Sequence, residues 1–262
     1  METTEYLKNY YESYNEDERL LSKHGRVEFI TTMKYIEKYL SDGCKILEIG
    51  AASGRYSHTL AQMGYKVDAV ELIEHNIEVF KSNTKDGEDI SITQGNATDL
   101  SMFESDSYDI TLLLGPMYHL YNEDDKLKAL SEAVRVTKKN GVILVAYCMS
   151  DPAILSFGFI KGNISKLIEN NMLDIDTFKA ISKPCDLFEM CRTEDIDRLR
   201  SNFNVTQLHY VATDGYTRHM SQTVDEMDDD TYNLYLKYHL AVCERSDLIG
   251  LSNHTLDIFR KD

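Results

Sequence analysis

The chain alternates between short apolar runs and longer segments whose apolar residues recur at helical spacing. The apolar runs predict parallel strands, because polar residues and glycines bound them and several are apolar at nearly every position. We expect these strands at residues 45–49, 66–70, 90–93, 108–114 and 142–147. Strands that alternate with helices in this way are typical of a parallel sheet with right-handed crossovers.

The helix before the fifth strand has the clearest end signals. Asn122 is a favourable N-cap, and the acidic residues 123–125 suit the positive end of the helix dipole. The pair Lys138-Lys139 suits the opposite end, and Gly141 provides a stop. We therefore expect the helix to include both lysines and the next strand to begin after this glycine.

The alternation of strands and helices is clearest within residues 41–150. Residues 1–40 predict two helices, and the tyrosines of the first suit either packing on the core or a lid. Residues 151–200 contain helical patches and no clear strand, so we expect a helical cap on the ligand side of the sheet or a peripheral insertion. Residues 201–262 predict a strand, a helical stretch and a last strand.

The first strand runs into a glycine-bounded turn that opens a helix. In the segment Glu48-x-Gly50-x-x-x-Gly54, backbone amides can cradle a polar ligand group. Dinucleotides, nucleoside triphosphates and S-adenosylmethionine all use such a turn. The dinucleotide fingerprint fails, because Ala52 and Arg55 stand where its second and third glycines belong. The phosphate loop fails as well, because its lysine and its spacing are missing.

Two later strand ends carry further candidate residues. Glu71 ends the second strand, 21 residues after Gly50, where a ribose-binding carboxylate belongs in a doubly wound sheet. The fourth strand ends in a turn that contains Gly115, Tyr118 and His119. Since ligands bind beyond the carboxyl ends of parallel strands, we expect these residues to lie on one side of the sheet.

Together these segments resemble the class I (Rossmann-like) S-adenosylmethionine-dependent methyltransferases, of the bacterial small-molecule type, over about residues 40–150. The glycine turn is similar to the family's first motif, acidic-x-Gly-x-Gly-x-Gly, with Ala52 in place of the middle glycine. The segment Gly95-Asn96-Ala97 is similar to the one that contacts adenine, with Asn96 in place of an aspartate. The turn at 115–119 is similar to the motif that lines the methionine end of the cofactor and the acceptor.

The resemblance implies a fold and a cofactor. The fold is α/β, with a doubly wound, mostly parallel sheet of seven strands in the order 3-2-1-4-5-7-6, the last strand antiparallel. The cofactor is S-adenosyl-L-methionine, with S-adenosyl-L-homocysteine as product. On this basis residues 1–40 are a lid, 41–150 the cofactor-binding core, 151–200 a cap over the acceptor, and 201–262 complete the sheet.

Candidate site residues follow from the same resemblance. The expected cofactor-binding residues are Glu48, Gly50, Ala51, Gly54, Glu71, Leu72, Asn96, Ala97, Leu114 and Gly115, and Arg55 either meets the methionine carboxylate or stays in solvent. His119 is the candidate general base or orienting group, since histidine titrates near neutral pH, and Tyr118 would orient the acceptor or flank the cofactor. Further candidate acceptor contacts are Tyr11, Tyr14, His209 and His239, although a packed or surface ring is the more ordinary interpretation of the two histidines.

Composition narrows the partners. A net charge of −16 argues against a broad electrostatic grip on nucleic acid or on an anionic membrane. The first residues lack a signal-peptide pattern, and no apolar stretch approaches the roughly 20 residues that span a bilayer, so we expect a cytoplasmic protein. Five cysteines without a C-x-x-C spacing predict neither a disulfide framework nor a metal site, and Cys148 is the first candidate if a thiol is catalytic.

The sequence therefore predicts an enzyme that transfers a methyl group by in-line displacement to an oxygen, nitrogen or sulfur of a small molecule. A protein acceptor is one alternative. A catalytically degenerate module that binds S-adenosylmethionine or S-adenosylhomocysteine without turnover is another.

Overall fold

The computed structural model describes residues 3–13 and 21–262 as a layered α/β structure. The strands are β1 Lys45–Ile49, β2 Lys66–Glu71, β3 Ile90–Gln94, β4 Tyr108–Leu113, β5 Thr137–Met149, β6 Leu173–Asp174, β7 Lys179–Ala180, β8 Met190–Cys191, β9 Val205–Ala212 and β10 His254–Lys261. The helices are α1 Thr3–Ser13, α2 Lys23–Glu37, α3 Arg55–Gln62, α4 Glu74–Asn83, α5 Glu123–Val136, α6 Ser150–Ala153, α7 Ile164–Glu169, α8 Thr193–Arg200, α9 Ser221–Glu226, α10 Asp229–Val242 and α11 Ser246–Ile249. A π-helical segment, Ile154–Ile160, continues α6, and short 3₁₀ turns occur at Pro116–Tyr118, Pro184–Asp186 and Thr217–Met220.

The main sheet has the strand order β3-β2-β1-β4-β5-β10-β9. The first five strands of this order are parallel, whereas β10 is antiparallel to both β5 and β9. Since β9 and β10 are the sixth and seventh long strands in the chain, the predicted order 3-2-1-4-5-7-6 is confirmed. The expected antiparallel last strand is confirmed as well.

The segment 151–200 contains three two-residue strands, although the sequence showed no clear strand there. β6 and β7 form a small hairpin, and β8 pairs in parallel with the end of β5 through Cys148 and Met149. Two-residue strands leave no alternation of polar and apolar residues to detect. The helical patches predicted in this segment occur as α7 and α8.

The boundary between α5 and β5 was predicted wrongly. The helix ends at Val136, and Lys138-Lys139 belongs to the strand instead of the last helical turn. Thr137 closes the helix by donating its hydroxyl to the Ala133 carbonyl, 2.6 Å away. Lys138 is held by both carboxylate oxygens of Asp109 on β4, each 2.9 Å from Nζ. This cross-strand ion pair, rather than the helix dipole, fixes the lysine.

The sheet is covered on both faces, as its apolar strands require. In β1, Leu47 and Ile49 pack in the core cluster on one face, and Ile46 packs in the cluster on the other. Asn122 caps α5 as predicted, since its side chain accepts from the backbone N–H of Asp125 at 2.8 Å. Among the described helices, none combines the length and apolar character needed to cross a membrane.

Candidate active site

A cavity of about 570 Å³ lies at the carboxyl ends of β1, β2 and β4. This volume is within the range of small-molecule sites. The turns that follow β1, β3 and β4 form its wall, together with the end of β2 and helix α1. The predicted cofactor residues that line it are Glu48, Gly50, Ala51, Glu71, Leu72, Asn96, Ala97, Leu114 and Gly115.

The glycine turn after β1 adopts left-handed backbone conformations. Gly50, Ala52 and Gly54 have φ angles of +78°, +48° and +88°. A side chain on Gly50 would approach Pro116 Cδ to 2.6 Å, and one on Gly54 would collide with the ring of Phe80. Gly54 is the N-cap of α3 and does not line the cavity, so glycine is needed there for packing and backbone shape rather than for direct contact.

Two buried carboxylates support this turn. Glu71 accepts the N–H of Ala52 with Oε2 and the N–H of Ile73 with Oε1, both at 2.9 Å. Burial raises its pKa, and these donors counteract that rise. Glu48 accepts the hydroxyl of Ser57, and burial raises its pKa to about 8. Both side chains line the cavity, where each can also interact with a ligand.

Asn96 and its neighbours form the end of the cavity next to β3. The side-chain oxygen of Asn96 accepts the backbone N–H of Thr98 at 3.1 Å, which orients the amide. Ala97 and Leu72 add apolar surface to the same wall. The NH₂ group of Asn96 can therefore donate to a ligand, and the second lone pair of its oxygen can still accept.

Two polar atoms in the cavity wall are buried without a partner. The Arg55 Nε and the Tyr121 hydroxyl make no hydrogen bond to any described residue, and both side chains line the cavity. The Arg55 guanidinium lies 4.8 Å above the ring of Phe29. Since an unpaired buried donor costs free energy, these two atoms mark where ligand acceptors would bind. Tyr121 had not been singled out from the sequence.

His119 presents an unprotonated ring nitrogen. Its Nδ1 lies 2.8 Å from the carbonyl oxygen of Leu187, which can only accept, so Nδ1 carries the proton. Burial lowers the pKa of His119 to about 4, although the bond to Leu187 opposes this, and the ring is therefore neutral at pH 7. The other nitrogen, Nε2, is 3.2 Å from the Tyr11 hydroxyl on α1 and accepts a hydrogen bond there.

Aromatic rings fix the position of His119. The rings of Tyr118 and Phe188 have centroids 4.9 Å and 5.5 Å from the imidazole. The Tyr118 hydroxyl donates to the Leu114 carbonyl at 2.8 Å, so the ring forms the wall while the polar tip is held by backbone. Phe188 was missed from the sequence, because 69 residues separate it from His119 and no motif surrounds it.

The structure does not bring every candidate acceptor residue to the cavity. Tyr11 lines it, but Tyr14 lies outside the described residues. His209 lies on β9, pairs with Glu244 at 2.8 Å and does not line the cavity. His239 is buried on α10 and bonds the Thr31 hydroxyl at 3.0 Å. Both histidines were selected by residue type alone, and neither β9 nor α10 places its histidine in the cavity wall.

A cluster of ionisable groups lies next to Tyr118, whose ring centroid is 6.5 Å from that of His254. His254 Nδ1 is 3.2 Å from Asp214 and 3.4 Å from Glu28. Burial opposes protonation, but Glu28 and the other acidic neighbours hold the pKa of His254 well above its usual value. The three donor atoms lie within 4.8 Å of one another, a spacing that a metal ion could also use. As an ion cluster, they tie α2 to β10.

Comparison with known families identifies the central part of the chain. Residues 47–145 match a family model described as "Methyltransferase domain". The chain is 24% identical to a glycine/sarcosine N-methyltransferase of Aphanothece halophytica over 54% of its own length and 53% of that protein. It is 32% identical to a demethylmenaquinone methyltransferase of Clavibacter sepedonicus over 43% of its length and 44% of that protein. The chain thus spans about half the length of the curated relatives it matches.

Solved structures are similar over nearly the whole chain. The PH0226 protein of Pyrococcus horikoshii OT3 superposes with a TM-score of 0.61 at 14% identity, over 97% of this chain and 99% of that one. A SAM-dependent methyltransferase of Methanosarcina mazei gives a TM-score of 0.56 at 17% identity, over 87% and 96%. At such identities the likeness establishes the fold.

Proposed function

We propose that this chain, which has the class I methyltransferase fold and matches a methyltransferase domain at residues 47–145, is an S-adenosylmethionine-dependent methyltransferase that acts on a small molecule. The observation that carries the proposal is a shared cavity. The same space is lined by the glycine turn, by the buried Glu71 and by His119 with its unprotonated Nε2. A cofactor and an acceptor can therefore meet there.

The residues present fit the cofactor at each end. The left-handed turn at Gly50 leaves room for close approach, and the unpaired Arg55 Nε suits the methionine carboxylate. Glu71 would accept from the ribose hydroxyls and the Asn96 NH₂ would bind the adenine. When bound, the cofactor supplies a methyl group on a sulfonium, which an aligned nucleophile displaces with loss of a neutral thioether.

His119 would then hold the acceptor's nucleophile in line. Its Nε2 now accepts from Tyr11, and an acceptor O–H or N–H would take the place of that hydroxyl. A pKa of about 4 makes the imidazole a weak proton acceptor, which favours orientation of the nucleophile over complete proton removal. Alignment of this kind can supply on the order of 7–11 kcal/mol in favourable cases.

The names of the relatives support a small-molecule acceptor, since they include demethylmenaquinone and ubiquinone-biosynthesis methyltransferases. A ribosomal protein L11 methyltransferase is also among them, so a protein acceptor is the second candidate. The net charge of −16 disfavours nucleic acid. We expect the lid assigned to residues 1–40 and, within the cap assigned to residues 151–200, the part around Pro184 to select the acceptor.

Calorimetry with S-adenosylmethionine and S-adenosylhomocysteine tests the cofactor part of the proposal. Arg55→Met keeps the stem over Phe29 but removes a charged donor worth about 1.5–3 kcal/mol, so both ligands should bind roughly 10- to 100-fold more weakly. Arg260→Met is the matched control, because Arg260 also has an unpaired buried Nε but does not line the cavity. If the native protein binds neither ligand, the proposal is wrong.

Turnover on a panel of small hydroxyl, amine and thiol acceptors tests the catalytic part. His119→Ala should lower turnover roughly 10²-fold with nearly unchanged cofactor affinity. His209→Ala is the control, since His209 does not line the cavity, and it should leave turnover unchanged. Cofactor binding without turnover on any acceptor would instead favour the degenerate binding module.

A further inference from the structure

Exposed large apolar side chains are concentrated in one short part of the chain. Of fourteen such side chains among the described residues, eight lie between Leu155 and Ile181. Four of these belong to the π-helical segment, Leu155, Phe157, Phe159 and Ile160, and Ile160 is 68% exposed. The other six are spread along the rest of the described chain. We call the exposed apolar side chains between Leu155 and Ile181 the apolar face.

The apolar face does not serve the cavity. No residue between 150 and 183 lines the cavity, and the contribution of this insertion to its wall is Pro184. The insertion also has its own small core, in which Ile154, Leu167 and Leu173 are buried. The side chains of the apolar face therefore point away from both the site and this core.

The charge around the apolar face differs from that of the rest of the protein. Residues 154–183 carry four lysines against Glu169, Asp174 and Asp176, which gives +1. Since the whole chain carries −16, the remainder carries −17. Two copies of this chain would repel each other at most orientations, but a meeting of two apolar faces brings together the least acidic surfaces.

The size of the apolar face is in the range that a stable dimer needs. Its side chains are each 40–68% exposed, and three of them are phenylalanines. A fully exposed aromatic side chain can bury about 150–250 Å², so side chains that are about half exposed contribute roughly half of that each, and eight together supply a substantial share of the about 800 Å² per partner of a standard interface.

We propose that the apolar face is the dimer interface of this protein, and that its occupant is the same face of a second copy. No other described surface concentrates apolar residues, so a partner face of the same kind is found only on another copy of the insertion. Such self-pairing gives a closed, two-fold dimer. An anionic lipid surface is the poorer fit, because the rest of the chain carries −17.

Sedimentation velocity over a dilution series tests the interface in the full chain. The native protein should sediment as a dimer of the 30.1 kDa chain. Ile160→Asp should weaken dimerisation by at least tenfold, because two-fold symmetry buries two new carboxylates. Leu234→Asp is the matched control, since Leu234 is also 68% exposed but lies on α10, and it should leave the dimer intact. Phe157→Ser provides a second disruption without added charge.

Unchanged circular dichroism and melting temperature would establish that each variant is folded. A native protein that is monomeric throughout the series overturns the proposal, as does equal loss of dimer in Ile160→Asp and Leu234→Asp. Co-sedimentation of a monomer with phosphatidylcholine vesicles, lost in Ile160→Asp, would assign the apolar face to a lipid surface and overturn it too. This test is independent of the catalytic proposal, because it measures mass rather than turnover.

Discussion

Ala52 has a backbone conformation that glycine adopts more easily. Its φ of +48° places the Cβ in a region that costs an L-residue about 1–2 kcal/mol. The strain persists because the Ala52 N–H is held by Glu71 at 2.9 Å. From the sequence, Ala52 was the position at which the turn departs from the pattern of its family, and the structure gives that departure a conformational cost.

Ala52→Gly should therefore stabilise the protein by up to about 1 kcal/mol, because relief of the strained φ exceeds the added entropy of the unfolded chain. Ala51→Gly is the control, since Ala51 is buried, lies in the same turn and has no left-handed φ. That change should destabilise by roughly 0.5–1 kcal/mol. Urea unfolding measures both, and equal losses in the two variants would contradict the strain argument.

The sequence predicted the residues of the cavity better than their partners. Gly50 and Glu71 could be found because a motif fixes their spacing along the chain. The state of His119 could not, because it depends on the carbonyl of Leu187, 68 residues later. A backbone acceptor has no sequence signature, and only the folded insertion brings it to the ring. The unpaired nitrogen of Arg55 likewise becomes visible only when burial is known.

Among the elements, the buried strands were predicted well and the boundaries less well. The runs that became β1 and β4 are apolar at most positions, and burial on both faces leaves little alternative to a central strand. The start of β5 was missed because Lys138 is equally compatible with a helix end. The ion pair between Lys138 and Asp109 on the neighbouring strand favours the strand conformation, and this tertiary contact is not visible in the sequence.

Helix α8 is attached to the sheet by a buried ion pair. Arg200 Nη1 lies 2.7 Å from the Asp257 carboxylate on β10, and the side chains are 15% and 0% exposed. Arg200→Met should cost about 3–5 kcal/mol of unfolding free energy, because it leaves a buried carboxylate without its cation. Arg198→Met, on the same helix but 54% exposed, should cost less than about 1 kcal/mol.

Urea unfolding at pH 7 measures the difference between these two variants. If they lose similar stability, then α8 is not held by the pair with Asp257. A further Asp257→Asn change in the Arg200→Met background should recover part of the loss, because the amide removes the uncompensated charge. The hydrogen bond from Gln207 to Asp257, at 2.9 Å, can still form with the side-chain oxygen of asparagine.

At the scale of the whole molecule, two effects lower stability as the pH rises from 6 to 8.5. The net charge of −16 produces self-repulsion, which salt screens with a Debye length of about 10 Å at 0.1 M. Glu48 is the second contributor, since its pKa is about 8 in the folded protein and 4.5 in its ordinary state. A raised folded-state pKa gives stability that is complete below pH 4.5 and lost as the pH approaches 8.

Glu48→Gln separates the two effects, because the amide keeps an oxygen for the Ser57 hydroxyl but cannot ionise. Below pH 4.5 the variant and the native protein should unfold with similar free energies, and at pH 6 the variant should already be more stable by about 2 kcal/mol, because only the unfolded carboxyl group ionises there. At pH 8.5 the advantage of the variant should be larger than at pH 6 by about 2–3 kcal/mol. Added salt should raise the stability of both proteins but leave their difference intact, since the Glu48 carboxylate is buried and poorly screened. Calorimetric melting of both proteins at pH 6 and pH 8.5, with and without salt, measures the stability difference under each of the four conditions. A difference that is the same at pH 6 and pH 8.5 would show that Glu48 does not titrate in this range.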